Sequence, residues 1–168
     1  MREPENSAIR ILPGTDADMA FFREMEFETT WQNLSPAEQQ TTTATAVREA
    51  LAVTHDLLLN RPGSAIFVAE TESGERVGLL WFGENRNLIT GESEAWVYNV
   101  SVVSAHRGKG IGGLLMAHAE SYARKLGYPS LGLMVAVHNE AARRLYARLG
   151  FVESNLVMRR RLGGRVAR

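Results

Sequence analysis

The sequence contains no cysteine and carries no net charge, and these two absences exclude several classes of protein. Without cysteine, the chain has no disulfides, no thiolate metal sites and no cysteine nucleophile. Its 19 basic residues balance 19 acidic ones, so the summed charge gives no field that would attract nucleic acid or an anionic membrane surface. We therefore predict no nucleic-acid partner and no membrane partner.

Metal-ligand spacings and long apolar runs are missing as well. The four histidines are scattered and form no H-E-x-x-H or similar motif, so no metal is predicted. The first residues, MREPENSAIR, lack the apolar core of a signal peptide, and no apolar run is long enough to span a bilayer. We expect a cytoplasmic protein. The length of 168 residues predicts one domain, residues 1–168.

Apolar spacing and capping signals predict the elements of the first half. Residues 9–12 are predicted to form a strand, and a helix follows Thr15, which resembles a capping box with Asp18. The stretch from Ser35 to Glu38 predicts the start of a second helix, with a break in the threonine-rich residues 41–45. The predicted apolar face of its later half consists of Val47, Ala50, Leu51, Thr54, Leu57 and Leu58.

The second half alternates strands and helices. Strands are predicted at residues 65–71, 76–82, 95–103, 131–137 and 152–162, and helices at residues 110–126 and 139–149. Short turns link the earlier strands, and strand-helix-strand crossovers occur only later. The predicted fold class is α/β (α+β), with a single mixed, mainly antiparallel sheet flanked by helices.

A glycine-rich stretch, HRGKGIGGLL at residues 106–115, fits two different motifs. Gly108, Gly110 and Gly113 satisfy G-x-G-x-x-G, the fingerprint of a dinucleotide-binding turn. That turn belongs in the first strand-helix unit of its fold, whereas here four predicted strands precede it. The predicted strand 131–137 also ends without the acidic residue that would bind a ribose. Phosphate-loop and protein-kinase motifs are absent too.

The second motif, R-x-x-G-x-G from Arg107 through Gly110 to Gly112, has a direct physical interpretation. Glycines let the backbone approach an anion closely, and a helix that begins there directs unpaired N–H groups and its positive dipole end at the same point. The stretch therefore predicts a pyrophosphate cradle. The alternative is a helix start whose glycines only allow tight packing.

Two segments together carry a resemblance to a known family. V102-V-S-A-H-R-G-K-G-I-G-G-L-L115 and N139-E-A-A-R-R-L-Y-A-R-L-G-F151 resemble the GNAT superfamily of acyl-CoA-dependent N-acyltransferases. The resemblance implies a sheet that splays between its fourth and fifth strands, with the pantetheine arm of acetyl-CoA in the opening.

The resemblance also implies which residues bind that substrate. The backbone of Val102 and Val103 is expected to pair with the pantetheine arm, residues 107–113 to hold the pyrophosphate, and Asn139 to contact pantetheine. The cofactor-binding residues predicted in this way are Val100, Val102, Val103, Arg107, Gly108, Lys109, Gly110, Ile111, Gly112, Gly113, Asn139, Ala142 and Tyr146. Asn139 is in addition expected to cap the helix that follows it.

Tyr146 is the predicted catalytic acid, because the family commonly places at this position a tyrosine that protonates the departing thiolate. Helical spacing turns the ring towards the sheet, where a buried phenol needs a partner for its hydroxyl. A thioester sulfur in the opening would be such a partner. The alternative is a core tyrosine bonded to a carbonyl or water.

Glu94, at the entrance of the fourth strand, is the first candidate for the base that deprotonates the acceptor. Glu92, or a water held by Asn99 or Ser101, is the next. Many relatives place a glutamate within this strand, but Asn99 occupies that position here. An ordinary loop carboxylate is the alternative for Glu94.

These residues together predict an N-acetyltransferase that moves an acetyl group from acetyl-CoA to a primary amine of a small molecule or protein. The predicted mechanism is direct attack in a ternary complex. The alternative is a non-catalytic acyl-CoA-binding sensor module. The predicted partners are acetyl-CoA and an amine acceptor, and whether the chain forms a homodimer is left open.

Overall fold

A computed structural model describes residues 8–87 and 89–160. The strands of its one sheet are β1 (Arg10–Pro13), β2 (Ala65–Glu70), β3 (Arg76–Arg86), β4 (Ser93–Val102) and β5 (Leu131–Leu133). They lie side by side in chain order. The first four are antiparallel to their neighbours, whereas β5 runs parallel to β4. The predicted mixed, mainly antiparallel sheet is therefore confirmed.

The helices cover both faces of this sheet. They are α1 (Met19–Asn33), α2 (Pro36–Gln39), α3 (Ala44–Leu58), α4 (Ile111–Lys125) and α5 (Glu140–Arg148). Phe22 and Met25 of α1 pack with Trp81 and other side chains on one face, and the end of α3 joins them. Leu115 and its neighbours on α4 pack on the opposite face, where α5 is also seated. Strand side chains alternate between these two cores because their period is two.

Local capping signals set the helix boundaries in the first half. Ser35 donates its N–H to Glu38 Oε2 over 2.8 Å, and the Glu38 N–H donates to Ser35 Oγ over 3.3 Å. The predicted break separates α2 from α3, which begins after Thr43 because the Thr43 hydroxyl accepts the N–H of Ala46 at 3.1 Å. β-branched residues are poor inside a helix, but threonine is a good cap.

The predicted apolar face of α3 is partly wrong. Ala50 is exposed and Leu57 is 61% exposed, whereas His55 and Val47 are buried. Val47, Leu51 and His55 are spaced by four residues, so they share the side of α3 that packs towards α1 and the sheet. The prediction used apolar residues only, so it placed the buried face part of a turn away from its true position. The polar side chain of His55 lies on the buried face.

The sheet opens between β4 and β5, as predicted. Pairing with β5 runs only from Ala95 to Val97, and β5 ends at Leu133, but β4 continues to Val102. Within β4, Tyr98 is an extra residue between the pairs that β4 makes with β3, which is a β-bulge. Bulges bend a strand, and this one lies where β4 leaves β5.

The lengths of several strands differ from the prediction. β5 stops at Leu133 instead of residue 137, because β4 has turned away and offers no further partner. Met134 and Val137 are consequently exposed. β3 is longer than predicted and reaches Arg86, because the hairpin pairs Arg86 with Ser93 at the start of β4.

The predicted last strand, residues 152–162, is wrong over residues 152–160, which form no strand; residues 161 and 162 lie outside the described part of the chain. A strand exists only where a neighbour accepts and donates backbone hydrogen bonds. No backbone bond of that kind involves residues 152–160 within the described ranges. Val152 and Met158 are accordingly more than four-fifths exposed.

Gly132 at the closed end of the opening supports a stability prediction. A Cβ at this position would lie 2.5 Å from Cζ3 and 2.7 Å from Cε3 of Trp96 on β4. We expect Gly132→Ala to lower the free energy of unfolding by about 1–3 kcal/mol, because overpacking forces neighbours out of position. Urea denaturation measures the change. The control Gly113→Ala adds a methyl group to a helical site with nothing within 4 Å, and is expected to be neutral or stabilising. Equal stability of the two variants would contradict the prediction.

Candidate active site

A left-handed glycine turn connects β4 to α4. After a short 3₁₀ turn at Ser104–His106, Gly108 has φ +76° and Gly110 has φ +82°. These backbone angles are costly for any residue with a Cβ. A Cβ placed at either glycine would meet nothing within 4 Å, so the space in front of the turn is open. Glycine is therefore required at these two positions by the backbone angles of the turn and not by close packing against neighbouring atoms.

The start of α4 presents unpaired amides to that open space. The first intrahelical bond runs from the Leu114 N–H to the Gly110 carbonyl over 3.1 Å, and Gly110 at the N-cap has no side chain to cap the helix. The N–H groups of residues 111–113 consequently have no partner within the helix. With the positive end of the helix dipole and the exposed Lys109 beside them, they suit an anionic ligand.

Arg107 links this turn to two other elements. Its Nε donates to the Val102 carbonyl over 3.0 Å, and a terminal nitrogen donates to Gln32 Oε1 over 3.3 Å. The guanidinium thus lies between the end of β4 and the last turn of α1. Its position is set by contacts with both of these elements.

Two hydrogen bonds of Val103 show which backbone groups at the end of β4 point towards β3 and which point towards the opening. The N–H of Val103 donates to the Val77 carbonyl over 2.9 Å, and its own carbonyl accepts the His106 N–H over 2.8 Å. Both backbone groups of Val103 are thus engaged within the chain. Because successive residues of a strand direct their backbone groups to opposite edges, those of Val100 and Val102 face the opening instead.

Asn139 caps α5, as predicted. Its Oδ1 accepts the Ala142 N–H over 3.2 Å, and its Nδ2 donates to Asn33 Oδ1 at the end of α1 over 3.2 Å. On the next turn of α5, Leu145 would lie 3.4 Å from a Cβ at Gly112. α5 therefore packs against the first turn of α4. Contact of Asn139 and Ala142 with a ligand stays a prediction.

Tyr146 lies on α5 with its ring packed against the core beneath α4, as the helical spacing predicted. The nearest aromatic ring is that of Phe151, with a centroid separation of 5.9 Å. Burial raises the pKa of Tyr146 to about 12. Its hydroxyl makes no hydrogen bond to any described residue. The phenol is thus protonated at neutral pH, the state that a proton donor requires.

Glu94 lies at the far end of β4 from the glycine turn. Its Oε1 accepts Nδ2 of Asn85 on β3 over 3.2 Å, and the next residue, Ala95, is the first to pair with β5. The sheet is closed at this point. The structure therefore places Glu94 beside the closed end of the opening, and its role as base stays a prediction.

Glu84, Glu92 and Glu94 form what we call the acidic rim, on the β3–β4 hairpin. Glu84 Oε2 accepts the Tyr128 hydroxyl over 2.6 Å, and Glu84 Oε1 accepts the Ser93 hydroxyl over 3.2 Å. The hydrogen bond to Glu84, with a smaller effect of burial, raises the pKa of Tyr128 to about 12. Hydrogen bonds within the described residues thus position the carboxylates of Glu84 and Glu94, which lie on opposite faces of the hairpin.

The sequence did not single out a buried polar cluster formed by Glu26, His55 and Asn99. Asn99 Nδ2 donates to Glu26 Oε1, and His55 Nε2 lies 3.4 Å from Glu26 Oε2. The three residues are 5%, 7% and 7% exposed. The rings of Phe22 and Trp81 enclose the imidazole, with centroids 4.8 and 5.6 Å away.

Asn99 and Ser101 also retain unused hydrogen-bonding capacity. Asn99 Oδ1 and Ser101 Oγ are buried and have no partner among the described residues. One signal for this cluster was present in the sequence: Glu26 follows Phe22 by four residues, so a carboxylate stands on the apolar face of α1. His55 has the same relation to Leu51 on α3.

A profile described as the acetyltransferase (GNAT) family matches residues 24–151, which is more than half of the chain. The chain belongs to this family. It is similar to two curated relatives from Bacillus subtilis (strain 168). The uncharacterized N-acetyltransferase YdgE is 36% identical over 91 residues, which cover 54% of this chain and 57% of YdgE. The uncharacterized N-acetyltransferase YycN is 31% identical over 104 residues, which cover 62% of this chain and 65% of YycN.

Solved structures agree with the GNAT family assignment at the level of the fold. The crystal structure of YycN superimposes with a TM-score of 0.72 at 24% identity, covering 94% of this chain and 100% of that chain. The aminoglycoside N-acetyltransferase AAC(6′)-Iy in complex with CoA gives 0.69 at 16% identity, covering 95% and 98%. In sequence, by contrast, the chain matches less than two thirds of the length of YdgE and of YycN.

The described part of this GNAT-family chain contains neither a metal-binding cluster nor a membrane-spanning helix. Across residues 8–87 and 89–160, no three histidine or acidic side chains are grouped so that they would hold a metal ion. No helix in the same ranges has both the length and the apolar character needed to cross a membrane.

Proposed function

We propose that this chain is an N-acetyltransferase that moves the acetyl group of acetyl-CoA to a primary amine of a small molecule or protein, by direct attack in a ternary complex. One observation carries the proposal: the open left-handed turn at Gly108 and Gly110 places the free amides of α4 beside the unpaired edge of β4. An anionic group and an extended amide-containing arm would be bound together by these two features.

The residues around the opening suit the parts of acetyl-CoA in turn. The amides of Ile111, Gly112 and Gly113, with Lys109, are assigned to the pyrophosphate. Arg107 is assigned to the same site, although its guanidinium contacts Val102 and Gln32 in the structure. The backbone groups of Val100 and Val102 face the opening, and we assign them to pairing with the amides of the pantetheine arm, near Asn139 and Ala142.

The reaction requires proton transfers at two positions. The amine must be neutral to attack, and it loses a further proton as the carbon–nitrogen bond forms. The carbonyl oxygen gains negative charge, and a backbone N–H near Val102 is assigned to stabilise it. Tyr146 is assigned to protonate the sulfur as the carbon–sulfur bond breaks, which its protonated state at neutral pH supports. Holding both substrates in line contributes much of the rate.

The acidic rim supports a cationic acceptor. Glu84, Glu92 and Glu94 would attract a polyamine or an aminosugar to the closed end of the opening. One structural neighbour is named as an aminoglycoside N-acetyltransferase, AAC(6′)-Iy. We therefore include an aminosugar among the acceptors to be tested. The panel also needs a peptide amine, because the proposal includes protein substrates.

The proposal is tested by ligand-induced stabilisation. We expect acetyl-CoA to raise the melting temperature of the protein, because a ligand at 100 times its Kd adds about 2.7 kcal/mol to the free energy of unfolding. NAD and NADP are expected to have no effect. Stabilisation by NAD but not by acetyl-CoA would show that the glycine turn binds a dinucleotide.

Turnover is tested with a thiol-reactive dye that detects released CoA. The chain contains no cysteine, so the protein itself gives no background. Tobramycin, spermine and the tripeptide Ala-Lys-Ala are the acceptors on the panel. We expect at least one to release thiol. Binding of acetyl-CoA without thiol release from a broader amine panel would instead favour a non-catalytic sensor.

A further inference from the structure

The cluster of Glu26, His55 and Asn99 lies beside the part of β4 that has left β5, because Asn99 directly precedes Val100 on that strand. Asn99 stands on β4 where many relatives carry a glutamate, so the strand itself supplies no acid at this position. A carboxylate is nevertheless present there, because Glu26 reaches it from α1 and accepts the Asn99 amide. The carboxylate thus comes from a different element of the fold.

The two faces of β4 separate this carboxylate from Tyr146. Asn99 pairs with Trp81 on β3 and shares the α1 face of the sheet with it, whereas Tyr146 packs on the α4 face. Val100, whose backbone faces the opening, lies between them. Direct attack needs a proton acceptor beside the incoming amine and a proton donor beside the departing sulfur, and these two groups occupy different corners of the tetrahedral intermediate. Glu26 and Tyr146 are distributed in this way.

The contacts of Glu26 are unusual for a structural carboxylate. Its partners are one amide and one imidazole, and no lysine or arginine within the described residues forms an ion pair with it. A buried carboxylate without a permanent cation gains little stability from its position. His55 balances its charge only when the imidazole is protonated. The imidazole Nε2 lies within hydrogen-bonding reach of the carboxylate, at 3.4 Å from Glu26 Oε2.

His55 also connects the carboxylate with a cavity of about 260 Å³ between α1 and α3. The charged side chains that line this cavity with His55 are Arg23 on α1 and Arg48 and Asp56 on α3. Arg48 is already paired with Glu24 and lies over the ring of Phe27. From the sheet, Trp81 contacts the imidazole and Asn99 binds the carboxylate, and neither of these side chains is charged.

We propose that Glu26 receives the proton lost by the acceptor amine and that His55 passes it to the α1–α3 cavity. This inference rests on the proposed transferase function. As the nitrogen–carbon bond forms, one N–H bond breaks and its proton moves to the Glu26 carboxylate. The electron pair of the carbon–sulfur bond stays on sulfur, which takes a proton from Tyr146. Amine and thioester become amide and thiol, and solvent restores both side chains. Asn99 is a positioning residue that holds Glu26.

The test begins with Glu26→Gln, which preserves the shape of the side chain and offers an oxygen to Asn99 and an N–H to His55. With the panel amine that releases most thiol from the wild type, we expect kcat to fall about 100-fold at pH 7. The Kd for acetyl-CoA is expected to stay within about twofold, because the cluster does not line the glycine turn. The remaining rate should rise with pH, because hydroxide then has to remove the proton. The control Glu24→Gln changes an exposed carboxylate on the same helix and should leave kcat unchanged.

A second variant separates chemistry from structure. Glu26→Gln combined with Asn99→Asp returns a carboxylate to the strand beside position 26, and we expect kcat to recover to within about tenfold of the wild type. A purely structural role for Glu26 gives no such recovery. The proposal is overturned if the double variant is as slow as Glu26→Gln and if Glu26→Gln has the same pH profile as the wild type.

Glu94→Gln is expected to raise KM for a cationic amine. If it abolishes kcat while Glu26→Gln does not, Glu94 is the base.

The two proposals fail in different ways. A wild-type protein that releases no thiol with any amine refutes the transferase function, and the inference about Glu26 with it. A wild type that is active together with a Glu26→Gln variant of equal kcat and equal pH profile refutes only the role of Glu26. A slow variant that the strand aspartate restores supports both.

Discussion

Replacing Gly110 with glutamate abolishes acetyl-CoA binding if the glycine turn is the pyrophosphate site. Gly110 has φ +82° and open space where its Cβ would point, directly before the first turn of α4. A glutamate there occupies the space assigned to the pyrophosphate and places a negative charge at the same helix end. We expect the Kd, measured by calorimetry, to rise roughly 1000-fold or more, the order of about 4 kcal/mol.

Gly127 provides a matched control for this substitution. It also has φ +82° and nothing within 4 Å of a Cβ, but it follows the other end of α4. Both glutamate variants are expected to lose about 1–2 kcal/mol of stability, because a side chain at positive φ is strained. Only the change at Gly110 should remove binding. Normal binding by the Gly110→Glu protein, or equal loss in both variants, would show that the turn is not the cradle.

Replacing Tyr146 with phenylalanine should leave binding intact and reduce turnover. The ring and its packing remain, so the Kd for acetyl-CoA is expected to stay within about twofold. The departing sulfur loses its proton donor, and we expect kcat to fall roughly 300-fold, within the usual range for general acid catalysis. Tyr122→Phe is the control, because that ring packs against the same core and has no assigned chemistry. A normal kcat, or a loss of binding in place of rate, would contradict the role of Tyr146.

The pH dependence of the wild type follows from the same phenol. Burial raises the pKa of Tyr146 to about 12 from its ordinary value of 10.0, so the group is neutral below that pH and loses its proton only above it. Turnover should therefore show no decline caused by Tyr146 between about pH 7 and pH 10. A fall of kcat in this interval that disappears in Tyr146→Phe would mean that the phenol ionises there.

Local patterns predicted the parts of this molecule that depend on neighbours in the chain. The Ser35–Glu38 capping box, the break before α3 and the glycine turn each involve only a few consecutive residues, and the structure contains all three. Asn139 as a helix cap belongs with them. In such cases the side chain and the backbone group that it satisfies are at most three or four residues apart.

Predictions that depended on distant partners were less successful. Residues 152–160 have an apolar pattern but no neighbouring strand with which to pair, and β5 ends where β4 turns away from it. Glu26 and His55 are charged or polar side chains on apolar helix faces, and their contacts cross 73 and 29 positions of the chain, to Asn99 and to each other. The sequence shows that these polar side chains lie on apolar helix faces, but it does not show which residues they contact.

The sequence by itself determined the elements, their boundaries at the caps, and the glycine turn, because these follow from hydrogen bonds and periodicity within one or two helical turns. The GNAT resemblance also rests on local sequence, because each of the two matching segments, residues 102–115 and 139–151, is continuous in the chain. Only the tertiary structure decided where β4 leaves β5, which edge of β4 is open, and that Glu26 from α1 lies at the position of Asn99. These depend on packing between elements far apart in the chain, which no local pattern encodes.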